Sequence, residues 1–101
     1  MELLPKLLRD TLPPLYATEE IEDPIVHCKF FNPTGSGTWL ILEFDGKDTL
    51  FGFTHILEGE LGYSSLSELQ SFKGSFHLGI ERDLYFQPQR LSQAKQALGL
   101  K

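Results

Sequence analysis

At 101 residues, 41% of them hydrophobic and 23% charged, the chain has the size and composition of one globular domain, expected to span 1–101, and wholesale disorder is not expected. The net charge of -5, from 14 acidic against 9 basic residues with no run of Lys or Arg, disfavours direct binding to nucleic acid. Cys28 is the only cysteine, so no intramolecular disulfide forms; no secretory signal opens the chain, and the longest apolar run, Trp39 to Leu42, is far below the ~18 residues of a membrane span, so a cytoplasmic protein without membrane contact is expected.

Residues 3–12 place Leu4, Leu7, Leu8 and Leu12 near one helical stripe, with Pro5 tolerable only in the first turn and Pro13-Pro14 ending the helix. The acidic stretch from Tyr16 to Pro24 has no period and reads as a connecting loop with at most one helical turn. Ile25 to Phe31 then alternates, with Val26, Cys28 and Phe30 on one side and His27 and Lys29 on the other, the pattern of a half-buried strand. Asn32 to Gly37 are turn formers that bring the chain back antiparallel.

Thr38 to Thr54 is the centre of the reading. Two apolar arms flank Asp45-Gly46-Lys47-Asp48, which predicts a β-hairpin. With Phe44 opposite Thr49, Leu42 meets Phe51 and Leu40 meets Phe53, so one face carries Leu40, Leu42, Phe44, Phe51 and Phe53. The other face, Trp39, Ile41, Glu43, Leu50, Gly52 and Thr54, is too apolar for open solvent, and the first helix is the expected cover at its Trp39 end.

Beyond the hairpin, Glu60 to Tyr63 continues or bulges off the third strand. Ser65-Leu66-Ser67-Glu68 matches a capping box and starts a helix of about two turns, with Gly74 as its terminator. Phe76, Leu78 and Ile80 alternate as a weak strand, and Leu84 to Gln87 predicts a better one, with Leu84 and Phe86 towards the core and Pro88 as its stop. Ser92 is placed to cap a last helix over 93–98. The fold class is therefore α+β: an antiparallel sheet of about four or five strands with short helices, in the order α-β-β-β-α-β-α.

No residue set of established chemistry stands out. His27, His55 and His77 are far apart, and His27 and Cys28, as strand neighbours, point to opposite faces, so no metal site is expected. Cys28 points inward and reads as core. Gly62 to Leu66 lacks the second glycine of a nucleophile elbow, and Gly35-Ser36-Gly37 has no helix after it to hold a phosphate. Glu43, Asp45, Asp48 and Glu60 are of the type that a magnesium- or manganese-dependent hydrolase uses, although Asp45 and Asp48 are ordinary turn residues and Glu43 is equally suited to a wet strand face. Trp39, Tyr63 and Tyr85 are aromatics left outside the main core, the kind of side chain that anchors protein interfaces.

Several phrases, in order, resemble the bacterial domain-of-unknown-function family number 2958: Pro13-Pro14-Leu15-Tyr16, Asp23-Pro24-Ile25-Val26, Lys29-Phe30-Phe31, Glu43-Phe44-Asp45-Gly46, Glu60-Leu61-Gly62-Tyr63, Ser65-Leu66-Ser67-Glu68-Leu69 and Ile80-Glu81-Arg82-Asp83-Leu84. Ser64 departs from the pattern, where an aromatic is usual. The resemblance carries no activity or catalytic residues; it implies a short cytoplasmic bacterial protein, often encoded on plasmids and other mobile elements. The expected function is a non-enzymatic interaction module with an unidentified protein partner and no cofactor; its sharper form is an acidic protein that occupies a basic nucleic-acid-binding surface. The alternative is the metal-dependent hydrolase built on Glu43, Asp45, Asp48 and Glu60.

Overall fold

The computed structural model describes residues 1–100. In chain order these form helix α1 (Lys6–Thr11), strands β1 (Ile25–Val26), β2 (Cys28–Phe31), β3 (Thr38–Phe44), β4 (Thr49–His55) and β5 (Gly59–Ser65), helix α2 (Leu66–Ser71), a 3-10 turn (Ser75–His77), strands β6 (Glu81–Arg82) and β7 (Gln89–Arg90), and helix α3 (Leu91–Ala97). The main sheet has five antiparallel strands in the order β5-β4-β3-β2-β6, and β1 pairs with β7 in a separate ribbon. The expected α+β class and element order hold. Among the described residues no helix is long and apolar enough to cross a membrane.

The central hairpin forms, but not in the straight register. Leu40 faces Phe53 and Ile41 faces Gly52 as expected; then Glu43 faces Phe51 and Phe44 faces Leu50, which leaves Leu42 as an extra residue in a β-bulge. Past the bulge the parity reverses. Phe44 joins Leu50, Ile41 and Trp39 in one core, while Leu40, Leu42 and Phe53 pack in another on the opposite face, with Phe51 against it. The bulge requires glycine at position 52: a Cβ there would lie 2.1 Å from the Leu40 carbonyl oxygen.

Both faces of the sheet are covered. Leu3, Leu4 and Leu12, with Leu66 of α2, close over the Trp39 face, and Trp39 is only 9% exposed. The cover expected there is present, although much of it comes from the extended lead-in: Pro5 is the N-cap, so α1 begins at Lys6 and Leu7, expected on the apolar stripe, is 84% exposed. A second difference lies at His27, whose N–H donates to the Ile41 carbonyl and interrupts the strand. Val26 therefore turns into the Leu40 core, with Ala94 of α3, while Cys28 and Phe30 face the Trp39 core.

The later elements depart further from expectation. Ser65 does cap α2, its hydroxyl accepting from the Glu68 N–H, but the helix stops at Phe72 and Gly74 is not its terminator. Residues 75–80 form no strand, because Phe76 and His77 take positive φ in the 3-10 turn. Leu84 to Gln87 form no strand either: Leu84 is exposed, Phe86 alone packs on the core, and pairing begins only after Pro88. Helix α3 starts at Leu91, one residue before Ser92, whose hydroxyl is instead bonded to the Asp23 carboxylate.

Candidate interaction site

The four carboxylates read as a hydrolase set are not brought together. Asp45 accepts from the N–H groups of Lys47, Asp48 and Thr49 and so holds the hairpin turn, where Gly46 takes a positive φ. Asp48 accepts from the Ser65 hydroxyl and the Ser67 N–H and so fastens α2 to the turn. These bonds hold both carboxyls below the usual carboxylate range. Glu60 is exposed at the other end of β5, opposite Thr54 and five residues from Ser65, roughly 17 Å at the rise of a strand. Among the described residues no group of three or more His, Cys, Asp or Glu is placed to hold a metal ion.

Glu43 has a different task. It is 2% exposed, not on a wet strand face, because the bulge turns it onto the same face as its neighbour Leu42 and towards the connecting loop. There its carboxylate accepts from the Tyr16 N–H at 2.8 Å, from the Thr18 N–H at 2.8 Å and from the Thr18 hydroxyl. Successive turn bonds, Ala17 to Pro14, Glu19 to Tyr16 and Ile21 to Thr18, keep the loop compact, and the Phe44 N–H donates to the Pro13 carbonyl to fix its start. The buried acid thus pins an otherwise polar loop to the sheet, and every buried side-chain polar atom among the described residues has a partner.

Pinning the loop builds a cleft. Tyr16 is held at φ 73°, a left-handed conformation that costs a bulky residue about 1–2 kcal/mol, and its ring stands exposed at the cleft's edge. Across from it stand Leu61 and Tyr63 of β5, with Phe51 as the floor; the Phe51 and Tyr63 rings are 5.1 Å apart at 53°. The space enclosed is about 280 Å³. Glu19 and Glu22 rim it, no lining residue is basic, and neither glutamate is ion-paired among the described residues. Desolvation at the cleft wall pushes the Tyr63 phenol up, and the neighbouring Tyr16, Glu43 and Glu19 push it the same way.

Of the three leftover aromatics, only Tyr63 belongs to this site. Trp39 is core, though its edge reaches a second, apolar groove of about 390 Å³ with Leu69 and Phe72, and Tyr85 stands alone in solvent. Tyr16, Glu19 and Glu22 escaped the sequence reading because they lie in an aperiodic loop. Gly52 in mid-strand, opposite Ile41 beside the bulge, was the available signal for a bulge that captures that loop. Cys28 is buried, which pushes its thiol up to about 12 and makes it a packing residue.

The site is thus a concave, acid-rimmed aromatic cleft on a small α+β domain. The chain belongs to the family described as protein of unknown function (DUF2958), whose profile matches residues 3–97. No curated protein and no solved structure matches it.

Proposed function

We propose that this protein is a non-enzymatic interaction module of the bacterial cytoplasm whose cleft receives basic side chains of a partner protein, at a surface that the partner otherwise uses to bind nucleic acid. The observation that carries the reading is the pairing of aromatic walls with glutamates in one concavity, Tyr16, Phe51 and Tyr63 with Glu19 and Glu22, neither glutamate being ion-paired among the described residues. Aromatic faces and carboxylates together favour a guanidinium or ammonium group over a neutral one. The strain at Tyr16 supports the same view, since a backbone held in a costly conformation to display an exposed ring has no counterpart in packing. The net charge of -5 adds long-range attraction to a basic protein surface and repels nucleic acid itself. A small acidic protein of this kind suits a mobile element that must silence a host nucleic-acid-binding factor.

The test is capture from lysate of the source organism at low and at moderate salt, with the Glu19→Gln/Glu22→Gln double variant as the comparison bait. The proposal expects a basic nucleic-acid-binding protein that is retained by the natural chain at low salt, lost at moderate salt, and lost with the variant. Capture that is indifferent to salt and to the two substitutions would overturn it.

A further inference from the structure

Strand β5 is a terminal strand of the main sheet, and the phase of its ladder decides which of its backbone groups are free. The Leu66 N–H donates to the Asp48 carbonyl at 2.8 Å, one step beyond the Thr49–Ser65 pair. In an antiparallel ladder hydrogen-bonded pairs alternate, so Ser64, Gly62 and Glu60 turn their N–H and C=O towards β4. The other side of β4 gives the same phase: the Asp45 N–H donates to the Thr49 carbonyl, so Phe51 spends its backbone groups on β3 rather than on Tyr63. Leu61 and Tyr63 therefore direct their N–H and C=O outward, and no hydrogen bond among the described residues uses them.

These two residues are also the ones whose side chains, 54% and 57% exposed, form the β5 wall of the cleft. Free backbone and recognition surface thus coincide. Edge strands are ordinarily blunted by Lys, Pro or a bulge, and β5 has none of these: it pairs with β4 in continuous register and reads Gly-Glu-Leu-Gly-Tyr-Ser-Ser. On its opposite face stands Glu60. Lys95 lies 4.8 Å over the Phe53 ring, which packs against Gly59, while the part of β5 that lines the acid-rimmed cleft is Leu61 and Tyr63.

We propose that β5 is the docking edge for an extended basic segment of the partner, added as a sixth strand with hydrogen bonds to Leu61 and Tyr63 and with its cationic side chains in the cleft among Tyr16, Tyr63, Glu19 and Glu22. Residues of the added strand opposite Leu61 and Tyr63 project on the cleft side, and their neighbours project past Glu60. The ladder supplies affinity without regard to sequence; the cleft selects positive charge at every second position. This inference rests on the reading that the cleft takes basic side chains.

The probe is a blocked peptide of alternating Lys and Thr, compared with one of equal charge in which every Thr is Pro and no strand can form. Titration of the ¹⁵N-labelled protein is expected to show binding of the alternating peptide at least about tenfold tighter than the Pro peptide, and new hydrogen-exchange protection at the Leu61 and Tyr63 amides. The Leu61→Pro variant removes one outward N–H without touching the β4 ladder and is expected to weaken the peptide about fivefold, the worth of one net hydrogen bond. Equal binding of the two peptides, abolished by Glu19→Gln/Glu22→Gln, would overturn strand addition and leave the cleft reading standing. No binding of the alternating peptide at millimolar concentration would likewise overturn strand addition, and the capture experiment would then decide the cleft reading alone. Protection of the same amides by self-association without peptide would show that a second copy occupies the edge, and would also overturn the proposal.

Discussion

Glu43→Gln changes one atom and should detach the loop that makes the cleft. The carboxylate accepts three hydrogen bonds, one at Oε1 from the Tyr16 N–H and two at Oε2 from the Thr18 N–H and hydroxyl. An amide can keep an oxygen at only one of these positions, and its NH2 meets a donor at the other. With the oxygen kept towards Thr18, one charge-assisted bond is lost, about 1.5–3 kcal/mol, and two become neutral bonds of roughly half the strength. A gross loss of about 3–6 kcal/mol follows, from which release of the left-handed Tyr16 returns about 1–2 kcal/mol once the loop lets go. The net expectation is a destabilisation of about 1–5 kcal/mol in urea unfolding with an unchanged slope, together with fast hydrogen exchange at the Tyr16 and Thr18 amides. A loss below about 0.5 kcal/mol with both amides still protected would refute the account of how the cleft is held.

Gly52→Ala places a Cβ 2.1 Å from the Leu40 carbonyl oxygen, a backbone contact that no rotamer relieves; thermal unfolding should show a loss of about 3 kcal/mol or more. Asp23, Asp45 and Asp48 are held below the usual carboxylate range, Asp23 chiefly by the Ser92 hydroxyl and N–H, so the stability they contribute is present above about pH 4 and is lost as pH falls through their lowered folded values. An acid series of unfolding midpoints should show this, and Asp48→Asn should flatten it. Burial lowers the His27 pKa, so that charging of this imidazole adds to the same acid loss below about pH 6.5. Cys28, with its thiol pushed up to about 12 by burial, should resist a thiol reagent in the native protein and react at the rate of unfolding; its contribution to stability should fall as pH rises between about 8.5 and 12.

What could be read in the sequence was whatever local chemistry dictates. The turn Asp45 to Asp48, the cap at Ser65 and the stop at Pro13 each rest on residues within four positions of one another, and each is where the pattern placed it. The antiparallel class followed from the hairpin. What failed was parity carried across a bulge: alternation assigns Phe44 to the face of Leu42, and one extra residue sends it to the other. The same extra residue makes Glu43 a buried anchor instead of a surface acid, and so creates the cleft from a loop 25–27 residues away in sequence. Gly52 in mid-strand was the trace of this, since a glycine there marks a bulge or a close approach of backbone. Phe76, Leu78 and Ile80 alternated without pairing because Gly74 precedes them, Gly79 interrupts them and the chain turns at Phe76.

The central claim is that Tyr16, Tyr63 and the two glutamates form the binding surface, and hydrogen exchange of the chain alone and saturated with its captured partner locates that surface directly. The account predicts protection confined to residues 16–22 and 59–65. Protection centred instead on the groove beside Trp39 and Phe72, with Tyr16 and Tyr63 unchanged, would contradict it.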